Sequence, residues 1–154
     1  MYIDPLVEIY QTLGLSPTQG CTADEIDQAE RLRGLAFPAA YREFLAWAGV
    51  DSGDIFADLE DAHYLRMIEF LDEARSLAAQ PYFREVLPAD AIIVAEYDSV
   101  QWSFIRASEG DDPPVYAFAY PILSPVAAPE GSDEFIKGPP FTVWLADYIE
   151  SLED

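Results

Sequence analysis

The chain has 154 residues, with 29 acidic against 8 basic side chains and a net charge of −21. Apolar residues make up 51% and aromatics 14%, enough for one core that folds unaided at this length. That balance excludes a nucleic-acid binder working through basic stripes and a protein held to anionic lipid, and it favours a basic partner at short range and low salt. The acids run through both halves of the chain, so they are not a tail. Simple solubility, or life in a salty cytoplasm, would call for the same composition. Cys21 is the one cysteine, which rules out an intramolecular disulfide framework. Met1–Pro5 lacks the basic and apolar regions of a signal peptide, and no apolar run approaches the ~20 residues that span a bilayer. The expectation is a soluble, cytoplasmic single domain over residues 1–154.

In chain order, Asp4-Pro5 starts a short helix that turns Leu6, Ile9, Tyr10 and Leu13 inward and stops at Gly14. Thr22 and Glu25 have the spacing of a capping box at the head of a helix running to about Leu35. Pro38 fits the first turn of the next helix, where Tyr41, Phe44, Leu45 and Ala48 make an apolar face with Trp47 beside it. Gly49 is placed to end that helix in a left-handed cap. This pair is built to cover a sheet. Residues 50–63 read as an acidic loop. Tyr64–Met67 reads as a short strand leading into a helix over Ile68–Ala79.

The period then changes. Ala91–Ala95, Trp102–Arg106 and Val115–Tyr120 are short β-rich runs separated by turn-prone segments, which predicts an antiparallel meander. Residues 121–140, rich in proline, read as an irregular connection. A last helix over about Pro140–Leu152 carries Phe141, Trp144, Leu145, Tyr148 and Leu152 at helical spacing, with Ile149 alongside. The fold class expected is α+β: a small antiparallel sheet flanked by about five helices.

Catalytic chemistry finds little support. Nucleophilic catalysis needs a base beside its nucleophile, and nothing in the sequence brings Cys21 to His63, the only histidine. Cys21 does lie next to a helix start, where amide dipoles favour a thiolate. Asp51–Asp54 departs from a calcium loop, with Phe56 where glycine is needed and Ala62 where the closing glutamate belongs. Glu109, Asp111 and Asp112 could hold a hard cation only weakly. Phosphate cradles, nucleophile elbows and zinc spacings are absent. No enzyme activity, cofactor or metal is expected. The acids could instead imitate a phosphate backbone inside a nuclease cleft.

What stands out are acidic loops dotted with aromatics, the composition of an electrostatically steered protein interface. One gathers Asp51, Asp54, Phe56, Asp58, Glu60 and Asp61; the other, around the meander, gathers Tyr97, Asp98, Glu109, Asp111 and Asp112. These are the candidate partner-binding residues. Phe56 and Tyr97 could equally belong to the core.

Over roughly residues 22–152 the order of elements resembles the SUKH superfamily. The resemblance is carried by Phe37-Pro38-x-x-Tyr41-x-x-Phe44-Leu45, by the three β-runs, and by Phe141-x-x-Trp144-Leu145 in the closing helix. That superfamily includes a fungal regulator of cell-wall synthesis and many bacterial immunity proteins that neutralise secreted polymorphic toxins. The matched positions are apolar scaffold, so the resemblance implies a fold and a binding role without catalytic residues. It implies a cytoplasmic immunity protein that blocks a basic toxin domain by direct stoichiometric binding; the alternative is an intracellular scaffold or regulatory module of the same fold.

Overall fold

The computed structural model describes residues 1–55, 88–97, 101–119 and 135–153. Among them are the helices α1 (Asp4–Thr12), α2 (Ala23–Arg33) and α3 (Ala39–Ala48), then the strands β1 (Ala91–Tyr97), β2 (Gln101–Arg106), β3 (Pro114–Ala119) and β4 (Phe135–Pro140), and finally α4 (Phe141–Glu150) with a 3-10 turn over Ser151–Glu153. The architecture is α+β. The expected count of about five helices becomes four among the described residues. The strand expected at Tyr64–Met67 and the helix expected over Ile68–Ala79 lie outside them.

The local signals at α2 act as the sequence foretells. Thr22 Oγ1 accepts from the Glu25 amide at 3.2 Å, and Glu25 Oε1 accepts from the Thr22 amide at 2.9 Å, closing the capping box. The helix ends on Gly34 in the left-handed conformation, one residue short of the expected Leu35. Glu30 then ties α2 to α3. One of its oxygens accepts the Phe37 amide at 2.7 Å, and the other meets the Arg42 guanidinium, which also reaches Asp27 at 3.2 Å.

Two expectations about α3 and its neighbours are corrected. Pro38 precedes the helix as its N-cap, with extended backbone, and Pro140 stands in the same place before α4. Gly49 closes α3 with φ −72°, an ordinary right-handed value, so a left-handed cap does not explain it. Space does. A Cβ there would overlap Cys21 Sγ and the Leu45 carbonyl, because the strand-like segment before α2 is pressed against the end of α3.

The four strands form one antiparallel sheet in the order β1-β2-β3-β4. Residues 91–95 of β1 are all buried, so both faces of that strand are covered. Across β2 and β3 the opposed pair Phe104 and Tyr116 stack at 5.2 Å. Residues 135–140, expected within an irregular connection, instead make β4, the edge strand of the sheet among the described residues. An edge position explains how its prolines are accommodated, since the outer side of an edge strand has no ladder partner to lose.

Core packing follows from these faces. Phe141, Leu145 and Ile149 of α4 are fully buried, and α4 lies against β3 and β4. Trp144, Tyr148 and Leu152, expected on the same inward face, are only partly buried and flank it. Tyr41 and Phe44 of α3 meet Phe141 edge-on at 5.6 and 5.9 Å. Leu6 and Tyr10 of α1 complete the cluster.

Candidate partner-binding surface

The expected site residues fall at two separate places, one at each end of α1. At the C-terminal end, residues 16–21 lie along the end of α3. Gln19 and Asp51 form an isolated antiparallel bridge, each donating its amide to the other's carbonyl at 2.9 and 3.0 Å, and Cys21 donates its amide to Leu45 O at 2.8 Å. The segment 51–55 therefore returns across residues 16–19. Asp54 is built into this joint: its Oδ2 accepts the Ser16 amide at 2.9 Å and its own amide donates to the Tyr10 hydroxyl, also at 2.9 Å. Asp51 is exposed, with one side-chain oxygen on the Gly53 amide at 2.8 Å. Burial raises the Tyr10 hydroxyl pKa, and the negative charge of Asp54 and Asp51 adds to that rise.

The other place is the turn between β2 and β3. There Asp112 acts as a cap borrowed from outside the helix. Its Oδ1 accepts the Thr142 amide at 3.0 Å and its Oδ2 accepts the Thr142 hydroxyl at 2.6 Å, at the positive end of α4. Backbone carbonyls of the same turn take two more helix-start amides: Asp111 O accepts from Ala40 at 2.9 Å, and Pro113 O from Phe141 at 2.8 Å. This supplies what the cap positions lack, because Pro38 and Pro140 have no side chain able to cap α3 and α4. The Asp111 carboxylate accepts the Tyr2 hydroxyl at 3.2 Å, which raises that phenol's pKa, first through the hydrogen bond and then through the charge. Glu109 accepts the Tyr116 hydroxyl at 3.0 Å.

Tyr2, just before α1, meets Asp111, and Tyr10, in the last turns of α1, lies beside Asp54, so the helix itself holds the two places apart. Sequence reasoning missed Glu43, whose Oε1 accepts the Ile3 amide at 3.2 Å and whose charge reaches Tyr2. It also gave Trp47 no role outside the core, although that ring is partly exposed at the end of α3. Phe56, Asp58, Glu60, Asp61 and Asp98 lie outside the described residues, as does His63, and only the backbone of Tyr97, the last residue of β1, is described.

Cys21 is buried, with its thiol pushed up to about 11 by burial and then by Glu25. A helix start could favour a thiolate at this position, but the Cys21 side chain belongs to the buried core, where burial opposes the charged form. Among the described residues no group of three or more potential ligands is placed to hold a metal ion, and no helix is long and apolar enough to cross a membrane.

Residues 20–147 match the model of the SMI1 / KNR4 family (SUKH-1). No curated protein matches the chain.

Proposed function

The chain belongs to the SMI1 / KNR4 family (SUKH-1), and from that premise we propose that it is an immunity protein which neutralises a basic toxin domain by direct stoichiometric binding. Family membership supports an immunity or regulatory type of domain. The observation that carries the reading toward a basic partner is the net charge of −21 on a folded family scaffold, with exposed carboxylates at both ends of α1. Charge of one sign spread over a compact domain speeds encounter with an oppositely charged partner and repels wrong ones. The protein acts on this reading without chemistry of its own, and the buried thiol of Cys21 fits that.

The reading predicts a toxin domain encoded directly upstream of this gene, and the test is coexpression with that domain. Growth should be restored, and the two chains should elute as one complex of fixed ratio. Unrestored growth, or no complex between the purified chains, would overturn the toxin reading in favour of a regulatory module. Cys21→Ser should protect as well as the native chain does; a folded Cys21→Ser protein that fails to protect would bring back a chemical role.

A further inference from the structure

An open groove of about 410 Å³ lies between the C-terminal ends of α1 and α3, lined by Tyr10, Leu15, Pro17, Thr18, Ala46 and Trp47. Its aromatic wall is rigid. Trp47 meets Tyr10 edge-on at 5.5 Å and Phe44 at 6.4 Å, so the indole is wedged from two sides while part of it stays exposed. The floor is fixed as well, because a Cβ on Gly20 would overlap the Ala46 carbonyl and only glycine lets residues 16–21 lie this close to α3.

The electrostatics of this groove are one-sided. Helix C-termini carry partial negative charge, and here two of them converge, neither with a basic residue in its last turn. Asp54 is bonded to Ser16, between the lining residues Leu15 and Pro17, and Asp51 is bridged to Gln19 beside Thr18. The sequence contains no lysine or arginine in residues 1–30 or 43–55, the stretches that supply the groove's lining among the described residues. Among the described residues the fold thus gathers an aromatic face, two negative helix ends and two carboxylates, and brings no cation to them.

We infer that this groove receives an arginine side chain from an exposed basic segment of the partner protein, its guanidinium against Trp47 and within the field of Asp51 and Asp54. The proposal rests on the reading above only in taking the partner to be a basic protein. Arginine suits the site better than lysine, because its planar, weakly hydrated guanidinium stacks on an aromatic ring while its edge still donates to carboxylates. A ring held on two sides loses little freedom on binding, the property of an interface anchor.

The test uses the full chain and two synthetic peptides of glycine and serine, identical except that one carries two arginines and the other two lysines. Binding is followed at about 0.15 M salt by calorimetry and by the indole N–H signal of Trp47, assigned with Trp47→Phe. The arginine peptide should move that signal and bind several-fold tighter than the lysine peptide. Ala46→Arg, at an exposed position, places the chain's own guanidinium in the groove and should weaken binding at least tenfold. Leu32→Arg makes the same charge change on the exposed face of α2 and should weaken it less than twofold. Equal losses in the two variants, equal affinity for the two peptides, an unmoved Trp47 signal, or a Trp47-dependent dimer in sedimentation would each overturn the inference. Peptide binding in the groove together with failed toxin protection would remove the toxin reading and leave the groove standing. Protection without any peptide binding would remove the groove alone.

Discussion

The two ends of α1 carry similar acidic residues and use them differently. At the β2–β3 turn the carboxylates and carbonyls are spent on the fold: Asp112 caps α4, Asp111 and Pro113 accept helix-start amides, and Glu109 holds Tyr116. At the other end Asp54 is likewise structural, but the exposed Asp51 carboxylate accepts the Gly53 amide two residues on, while its backbone bridges to Gln19 beside an aromatic groove. Acidic clusters of the same composition can therefore be scaffold or surface, and what separates their members is whether the carboxylate meets a group on another segment, as at Asp112, Glu109 and Asp54, or one in its own turn, as at Asp51.

Several substitutions would break or sharpen that contrast. The largest effect belongs to neither end but to the core between them. Phe44→Ala should cost about 3–5 kcal/mol in chemical denaturation, since the ring is 1% exposed and packed on Phe141. Next, Asp112→Ala should cost about 1–2 kcal/mol by leaving the start of α4 uncapped. Asp51→Ala, in the same assay, should change stability by less than about 0.5 kcal/mol. Equal losses at Asp112 and Asp51 would erase the distinction between scaffold and surface.

Asp90, just before β1, gives an effect between those of Asp112 and Asp51, and a pH-dependent one. Burial raises its pKa, but hydrogen bonds from the Ser108 hydroxyl and amide, and from Arg106 Nε at 2.9 Å, outweigh burial and hold the carboxyl below its usual range. A carboxyl depressed in the folded state contributes stability that is present above its unfolded pKa of about 3.9 and is lost as pH falls through the lower folded value. Asp90→Asn should therefore cost roughly 1 kcal/mol at neutral pH, Arg106 being partly exposed, and the gap from the native protein should close below about pH 4. A gap unchanged by acid would mean that the carboxylate's charge contributes nothing.

Most of the fold was legible because its signals are local. The Thr22–Glu25 box, the Tyr41-Phe44-Leu45-Ala48 stripe and the three β-runs each state their element within a few residues. What escaped was set by distant contacts. β4 is a strand because β3 pairs with it, and its prolines conceal that from any window of sequence. Gly49 is required by Cys21, almost thirty residues away, and Asp112 was unreadable as a cap because its helix begins at Phe141. Of the candidate site, the acidic character was legible in composition. Its division into two loops was legible as well, but not that they lie at opposite ends of α1, since that depends on where α1 packs. Trp47 was assigned to the apolar stripe, and only the packing of residues 16–21 against α3 shows its exposed side.

The central claim, a steered interface centred on the C-terminal end of α1, is tested most directly by stopped-flow association with the cognate toxin domain that the proposed function predicts, across an ionic-strength series. The account predicts an association rate for the native chain that falls steeply with salt. Asp51→Lys should slow association and flatten that dependence, because rim charges act mainly through the on-rate, and Asp111→Lys should do so less. A native rate indifferent to salt, or an Asp51→Lys chain that matches the native one while Asp111→Lys is slow, would contradict it.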